Sequence, residues 1–416
     1  MNFGRRVLWT AFFGLTIVCV SNKAIASDDI DDLLVDGKFT FDARARFEHV
    51  DQEPFTEKAN APTIRARVGF VTGKVANFQG LIEGEAIVHL SDDFNDSVNG
   101  QTQFPMVVDP TGMELNRLQV EYTGIPQTVV TLGRQRINLD NQRFVGAVGW
   151  RQNEQTFDAL RVVNTSIEGL TLNYVFVNQV NRIYGNESSQ GEFEGPTHFF
   201  NAAYDLPPIG KIVGYAYLLD LDLAAFKPQS TATFGLRVTG KKDVGGGYAL
   251  GYEAEYAHQN DYADNPNNVS LDYWHADLSV VRSGLSVLVG VESLEGSGVN
   301  GVPGFSTPLA TLHKFQGYAD AFLTTPANGI VDVYGKVGYE TKFDQPVGPI
   351  TGVMAAAWYH GFEAERGSQS FGEEFNLEAV ARLGEHFSIG SKYANYDGDG
   401  GVFGREKIWL HVDAIY

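Results

Sequence analysis

Residues 41–50, FDARARFEHV, alternate between apolar and charged side chains with almost no interruption. The apolar set is Phe41, Ala43, Ala45 and Phe47, and the charged set is Asp42, Arg44, Arg46 and Glu48. In an extended strand the two sets point to opposite sides. A soluble sheet would bury the apolar side in a core, whereas an outer-membrane barrel would turn it to lipid and the charged side to water. The rest of the chain decides between these arrangements.

Alternating segments of similar length recur along the whole sequence. They cover residues 38–50, 62–73, 79–90, 113–123, 128–137, 156–165, 170–181, 197–206, 211–222, 230–241, 247–259, 269–281, 285–294, 330–340, 351–362, 373–383, 388–397 and 408–416. Most match the ~9–11 residues of a tilted membrane-crossing strand and exceed the ~5–6 residues of a typical soluble strand. The pattern predicts an all-β fold, a transmembrane antiparallel β-barrel of eighteen strands, with sixteen as the alternative.

The connections between these segments alternate between short and long. Examples of the short kind are GIPQ (124–127) and GEHF (384–387), and of the long kind 91–112 and 138–155. Outer-membrane barrels have short periplasmic turns, long extracellular loops and an even number of strands. A strand at 314–323 would make the count odd, so we assign 295–329 to one long loop folded back into the lumen. Residues 38–416 are then a single barrel domain.

The first 26 residues have the features of an export signal. A basic start, MNFGRR, is followed by an apolar run that ends in small residues at Ala24 and Ala26. This predicts a signal peptide over 1–26, cleaved before Ser27, and a short periplasmic segment over 27–37. The apolar run is shorter than the ~20 residues of a spanning helix, which disfavours a retained anchor. The one cysteine of the chain, Cys19, lies here, so residues 27–416 hold no thiol for disulfides, metals or nucleophilic chemistry.

The last ten residues, KIWLHVDAIY, alternate outward and end on an aromatic carboxyl terminus. This resembles the terminal strand that the outer-membrane assembly machinery reads, although the last residue there is usually Phe and here is Tyr416. The predicted location is therefore the outer membrane of a Gram-negative bacterium, with membrane lipid and the assembly machinery as partners. A buried last strand of a soluble fold is the alternative.

The charge of the chain excludes some partners. The full sequence has a net charge of −20, and without residues 1–26 it holds 28 Lys and Arg against 51 Asp and Glu, a net charge of about −23. Nucleic acid and anionic surfaces are poor partners for such a protein. Against this background a local cluster of basic residues is informative.

Arginine is concentrated in the first six predicted strands and their connections. Ten of the sixteen arginines after residue 26 lie there: Arg44, Arg46, Arg65, Arg67, Arg117, Arg134, Arg136, Arg143, Arg151 and Arg161. The first four alternate opposite apolar residues on neighbouring strands, so we expect them to face the lumen together. Guanidinium groups bind carboxylates two-pronged, which suits a sugar-acid substrate. A structural lattice with inward carboxylates such as Glu83 and Glu85 is the alternative, and the two can coexist.

One arginine does not fit the alternation. In TVVTLGRQRIN (128–138), a frame with Val130 and Leu132 outward also places Arg134 outward, unless a bulge intervenes or the strand has ended. Periodicity leaves this open.

Three stretches resemble the alginate export family of outer-membrane proteins. They are GRQRINLDNQRFVGAVGWRQNEQTFDALRV (133–162), HKFQGYADAFLTTPANGIVDVY (313–334) and KYANYDGD (392–399). The resemblance implies a monomeric eighteen-stranded barrel with an arginine-lined lumen that carries an acidic polysaccharide passively. Carried over by position, it implies that Arg134, Arg136, Arg143, Arg151, Arg161 and Asp158 line or brace the constriction.

The function predicted from the sequence is a passive outer-membrane channel for anionic, uronate-type saccharides, without cofactor, metal or catalytic residues. A general diffusion porin without sugar-acid preference is the first alternative. A barrel enzyme is the second, although the sequence has neither a Gly-x-Ser-x-Gly nor a His-Glu-x-x-His motif. A structural or adhesive barrel with a blocked lumen is the third.

Overall fold

The computed structural model describes residues 27–416, and the predicted signal peptide lies outside these residues. Eighteen strands account for most of the described chain. They are β1 (Lys38–Gln52), β2 (Ala59–Val71), β3 (Phe78–His89), β4 (Gly112–Ile125), β5 (Thr128–Gln135), β6 (Thr156–Ile167), β7 (Leu170–Asn181), β8 (Glu192–Leu206), β9 (Gly210–Leu219), β10 (Thr231–Gly245), β11 (Tyr248–Asp261), β12 (Ser270–Arg282), β13 (Leu285–Leu294), β14 (Ile330–Val347), β15 (Ile350–Glu363), β16 (Ser370–Leu383), β17 (Phe387–Gly398) and β18 (Arg405–Ile415). The helical segments in this part of the chain are α1 (Ser27–Val35) and two 3₁₀ turns, Lys227–Gln229 and Leu312–Lys314.

Every strand pairs antiparallel with its neighbours in sequence, and the sheet closes on itself. The closure is made by β1, which pairs with β2 on one side and with β18 on the other. Closure leaves no strand edge with unpaired backbone groups, which is the condition for a sheet that spans a bilayer. The prediction of an eighteen-stranded antiparallel barrel is confirmed, and so is the assignment of 314–323 outside the strands.

The two faces of the sheet differ as the alternation predicts. On the outer face, apolar side chains of consecutive strands remain exposed to between a third and four fifths, among them Phe39, Val68, Ile82, Leu118, Leu132, Leu278, Val289, Val333 and Leu410. On the inner face of β1 and β2, Arg46, Glu48 and Arg65 are at most 3% exposed. An apolar surface that runs around a closed barrel is unfavourable in water and favourable in hydrocarbon.

The connections differ between the two ends of the barrel. One end has tight turns such as 126–127, 168–169 and 283–284, together with both ends of the described chain. The other end has the long connections 90–111, 136–155 and 295–329. Short turns at one end and long loops at the other are the arrangement that the sequence predicted.

Strand limits differ from the predicted ones where the alternation is interrupted. β8 begins at Glu192, five residues before the predicted start at 197. The register between β7 and β8 shifts between Val177 and Gln179, and Gly195 has a φ of +132° with the backbone oxygen of Asp220 close to it. Only glycine adopts such a conformation freely, and the bulge conceals the first part of the strand from a period-two pattern.

The segment before β1 forms the short helix α1. It contacts the β2–β3 turn, where the backbone N–H of Gly73 donates to the carbonyl oxygen of Leu33 at 2.8 Å. Within residues 27–416, no helix is both long and apolar enough to cross a membrane.

Candidate functional site

Two of the long connections form one hydrogen-bonded unit on the inner side of the barrel wall. We call residues 136–155 and 295–329 the inner loops. The N–H of Gly146 donates to Leu309 O at 2.9 Å, and the N–H of Thr311 donates to Gln142 O at 3.1 Å. Val148, a β-branched residue with a φ of +51°, is held by its N–H bond to the Thr311 hydroxyl. Such a conformation is rare for this residue type and persists where its surroundings fix it.

The inner faces of β1 and β2 bring the first four arginines together. The register places Arg44 opposite Arg65 and Arg67 opposite Asp42. Each of the four has a carboxylate partner. The partners are Asp413 for Arg44 at 2.7 Å, Asp109 for Arg46, Asp42 for Arg65 and Glu85 for Arg67. The guanidinium groups therefore belong to ion pairs formed within the protein.

The inner loops are held over these arginines by their backbone oxygens. Both Arg44 and Arg46 donate to the carbonyl oxygen of Trp150, and Arg67 donates to that of Gln152 at 3.2 Å. A guanidinium has five N–H donors, so it can satisfy a carboxylate and a carbonyl together. The arginines thus anchor the loop as well as the wall.

The other inward arginines of the predicted cluster also have partners within the protein, a carboxylate in every case but Arg161. Arg117 donates two hydrogen bonds to Glu83, and Arg136 donates two to Glu154. Arg143 lies 2.8 Å from Glu292 on β13, and its guanidinium stands 4.8 Å over the ring of Phe315. Arg151 contacts Glu48 at 3.1 Å and Asp320 at 3.5 Å. In Arg161 the guanidinium donates to the Asn173 amide oxygen at 3.2 Å.

Arg134 and Asp158 form a pair on the other side of the wall. Arg134 is in register with Leu118 on one side and with Asp158 on the other, and Leu118 is 50% exposed on the outer face. Opposed residues of neighbouring strands share a face. The expectation that Arg134 and Asp158 line the lumen is therefore corrected: they form a two-pronged ion pair, at 2.7 and 2.9 Å, on the outer face near the long-loop end.

Seven of the inward arginines fall into a buried group and a more exposed group. The side chains of Arg46, Arg65, Arg67 and Arg143 are at most 3% exposed. Those of Arg44, Arg117 and Arg136 are 16%, 18% and 33% exposed. We call the second group the open pairs, because water and solute can reach them. The buried arginines form the structural lattice with inward carboxylates that the sequence predicted as the alternative to substrate binding.

Several carboxylates in these pairs were not recognised in the sequence. Asp109, Glu154, Glu292, Asp320 and Asp413 each contact at least one inward cation. Three of the five lie in connections, where no alternation indicates which way a side chain points. Glu292 and Asp413 do follow the strand pattern, so inward alternation on β13 and β18 was the signal that could have found them.

Asp320 is the centre of a buried ionic cluster between the inner loops and β18. Its carboxylate lies 2.8 Å from Lys407 Nζ, 2.9 Å from His313 Nδ1 and 3.5 Å from an Arg151 nitrogen. Burial by itself would raise the pKa of Asp320, but the neighbouring Lys407, His313 and Arg151 hold it well below its usual range. The three neighbours therefore stabilise the ionised form of this carboxylate.

Aromatic stacking joins the same cluster to the barrel wall. The rings of His313 and Trp150 are parallel, with centroids 4.7 Å apart. Lys392 Nζ, from β17, lies 4.0 Å from the ring centroids of both Trp150 and Tyr318. A cation held between two aromatic rings is stabilised by their quadrupoles, more so where water is excluded.

The pH dependence of loop docking follows from His313. Burial, with Lys392 and Arg151 adding and Asp320 opposing, lowers its pKa to about 4 from 6.5. The released loop binds a proton below pH 6.5 that the docked loop does not bind until about pH 4. We expect docking to weaken by about 1.4 kcal/mol per pH unit in that window. Hydrogen exchange of amides in 295–329, corrected for intrinsic rates at pH 7.5, 6 and 5, would measure it. In the variant His313→Gln the free energy of loop docking should not change with pH over this range. An equal pH dependence in both proteins would contradict the assignment of this effect to His313.

The inner faces of β11 to β16 carry most of the remaining acidic groups. Glu253, Glu255, Asp332, Glu340, Glu374 and Glu378 all lie there, as their inward alternation predicts. Most have partners, such as Arg237 for Glu253 at 2.5 Å and His360 for Asp332 at 3.0 Å. Among residues 31–416, no group of three or more His, Cys, Asp or Glu side chains has an arrangement that could hold a metal ion.

Comparison with known proteins identifies the family. A family model described as alginate export matches residues 36–265, more than half of the chain. The chain belongs to the alginate export family. The match contains β1 to β6 and the first inner loop, which hold all ten arginines of the predicted cluster. A comparison with curated proteins gives no match.

Solved structures with the same fold come from Acinetobacter baumannii and Pseudomonas aeruginosa. OccAB2 of Acinetobacter baumannii is 13% identical and covers 92% of this chain and 99% of its own, with a TM-score of 0.70. OpdG (OccK9) of Pseudomonas aeruginosa is 14% identical, covers 92% and 100%, and has a TM-score of 0.69. OpdO of the same species is 13% identical, covers 93% and 99%, and has a TM-score of 0.67. At these identities the likeness concerns the fold. With the apolar outer face and the family match, it makes this alginate export family member an outer-membrane barrel channel.

Proposed function

We propose that this channel conducts acidic, uronate-type saccharides passively, and that the open pairs are the groups to which the saccharide carboxylates bind. The observation that carries this proposal is the exposure of Arg44, Arg117 and Arg136 while each already holds a carboxylate. A guanidinium that donates two hydrogen bonds to Glu83 or Glu154 has the geometry to donate to a uronate carboxylate in the same way.

Competition with the protein's own carboxylates would keep substrate binding loose. A uronate that docks on Arg44 replaces Asp413 or shares the guanidinium with it, so the net gain in free energy is small. Weak binding at several sites is what a channel requires, because a tightly bound solute does not leave. In the same proposal the buried arginines hold the inner loops in place and do not touch the saccharide.

The distribution of charged side chains around the lumen, with the open arginines on one wall and most other inward carboxylates on the opposite wall, supports an anion path along the arginine wall. The open pairs lie on β1, on β4 and at the first residue after β5, whereas β11 to β16 carry the inward carboxylates named above. A saccharide carboxylate experiences less repulsion on the arginine side, and the lateral field guides it there. A neutral oligosaccharide has no such preference.

The test is single-channel recording of the purified protein in planar bilayers, with a uronate tetramer and a neutral glucose tetramer as blockers. We expect the uronate to block current at lower concentration than the neutral sugar. The substitutions Arg44→Gln and Arg136→Gln should each raise the half-blocking concentration of the uronate about fivefold, equivalent to about 1 kcal/mol for an exchangeable charged hydrogen bond. The half-blocking concentration of the neutral sugar should be the same in these variants as in the wild type.

The matched control is Arg134→Gln, which removes the same charge from the outer face of the same wall. We expect no change in block by either sugar. If wild-type protein does not distinguish the two tetramers, or if Arg134→Gln acts like Arg44→Gln, the protein is a general diffusion pore and the proposal is wrong.

A further inference from the structure

A half-buried patch on the inner face of β14 and β15 lies outside the region of the family match. The register pairs Lys336 with Trp358 and Tyr334 with His360, so the four side chains form two adjacent rows. Their outward neighbours Val333, Val337 and Tyr359 are each more than half exposed, on the lipid side. The patch therefore faces the interior of the barrel.

The rings of the patch form a continuous aromatic surface. Tyr334 and His360 are nearly parallel at 5.5 Å between centroids, and Trp358 and His360 lie 6.0 Å apart at 20°. The Tyr334 hydroxyl is 2.8 Å from His275 Nε2, which fixes the phenol ring against β12. A surface of this kind offers an apolar contact for the C–H face of a pyranose ring, with a polar handle at its edge.

Lys336 is the unusual member of the patch. Its Nζ stands 4.4 Å from the centroid of the Trp358 ring. The other inward lysines away from the short-turn end have acceptors: Lys314 donates to Asn141 O at 3.0 Å, Lys392 lies 3.6 Å from Glu378, and Lys407 lies 2.8 Å from Asp320. Among the residues with described side chains, none supplies Lys336 with a hydrogen-bond acceptor or with a carboxylate within 4.0 Å.

The carboxylates of the neighbouring rows do not supply the missing counter-charge. Glu378 accepts from the Tyr318 hydroxyl at 3.0 Å besides contacting Lys392, and Glu340 accepts from Arg382 at 2.7 Å. Both acids lie more than 4.0 Å from the ammonium group of Lys336 and have other cations, Arg382 and Lys392, as their contacts. The ammonium group of Lys336 therefore has no contacting counter-ion on a confined, partly desolvated surface.

We propose that Lys336, with Trp358 and Tyr334, forms a docking subsite for a single uronate residue in transit, the ammonium group binding the carboxylate while the rings contact the sugar. This rests on the proposed function and adds a second binding site for the saccharide, on the wall opposite the open pairs. A lysine suits a site that holds its ligand only briefly, because its ammonium group binds as a compact, strongly hydrated point charge without the fixed two-pronged geometry of arginine.

The experiment uses the full-length protein in planar bilayers with the uronate and glucose tetramers. We expect Lys336→Gln to shorten the residence time of the uronate in the pore about threefold to tenfold and to leave that of the glucose tetramer unchanged. We expect Trp358→Leu, which keeps the lysine, to shorten the residence time of both sugars, because it removes the ring contact and not the charge.

The matched control is Lys342→Gln, on the same strand six residues closer to the short turn, where the lysine is exposed. It removes the same charge without the aromatic neighbours, and uronate residence times should match those of wild type. Equal residence times in Lys336→Gln and wild type, in a channel that still prefers the uronate, would overturn the subsite and leave the proposed function standing. Loss of the preference for uronate in wild type would instead refute both.

Discussion

Replacing Asp320 with Asn should release residues 295–329 from the barrel wall. The substitution keeps the shape of the side chain but removes the negative charge that His313, Lys407 and Arg151 share. Removing one partner of a buried ion pair leaves uncompensated charge and costs about 3–5 kcal/mol. Since the cluster joins a loop to the wall, the substitution reduces the free energy of loop docking and leaves the strand pairing of the barrel unchanged.

The expected readout is local opening. Limited proteolysis of the detergent-solubilised protein should cleave within 295–329 on the order of 100-fold faster in Asp320→Asn, because about 3 kcal/mol corresponds to a shift of that size in the opening equilibrium. Channel recordings should show larger current fluctuations. The control is Asp264→Asn, which removes a carboxylate from an exposed ion pair with Lys227 and should leave both measurements at wild-type values. Cleavage at the wild-type rate in Asp320→Asn would show that other contacts hold the loop.

Replacing Arg143 with Met should also weaken the docking of residues 295–329. Arg143 lies in the first inner loop, residues 136–155. The buried guanidinium contacts Glu292 on β13 at 2.8 Å, Thr307 Oγ1 at 3.3 Å and the ring of Phe315. Methionine fills part of the volume but leaves the Glu292 carboxylate, which is 3% exposed, without its cation. We expect a loss of about 3–5 kcal/mol, measured as the urea dependence of loop proteolysis in detergent.

A double substitution identifies the cause of that loss. If the orphaned charge of Glu292 is responsible, Arg143→Met combined with Glu292→Gln should recover more than half of it, because a neutral amide is less costly to bury than an unpaired carboxylate. Arg282→Met, in which the arginine is exposed at a tight turn, is the control and should be neutral. A double variant less stable than Arg143→Met alone would mean that lost packing and cation–π contact dominate.

The arrangement of arginines explains why the same residues can serve stability and transport. Arg46, Arg65 and Arg67 are buried and have protein carboxylates as partners, and Arg46 and Arg67 also donate to backbone oxygens of the first inner loop. Arg44 and Arg136 lie at the margin of that loop, where their pairs are open. One pattern of alternation produces both groups, and the position of the loop over the wall separates them.

The fold could be predicted from the sequence because a strand has only two faces. In β1 the alternation of Phe41 and Phe47 with Arg44 and Arg46 fixes which side chains share a face, and repetition over eighteen segments leaves a closed barrel as the structure that exposes no edge. The alternation failed where the backbone is irregular. At Gly133, with a φ of +117°, the pattern could not decide the direction of Arg134 and only the register with Leu118 did.

The candidate site depended on tertiary structure to a much greater extent. Which arginines face inward follows from periodicity, but whether a guanidinium is free or paired depends on residues such as Asp109 and Asp320, which lie in connections without any period. Their positions are set by the way the inner loops fold across the barrel and bind each other through backbone bonds such as that of Gly146 to Leu309. The sequence therefore determined the wall, since strand geometry is local and repeats every two residues. Only the tertiary structure decided which charges remain accessible, because that depends on contacts between loops and strands that no local period relates, such as Asp109 with Arg46 and Asp320 with Lys407.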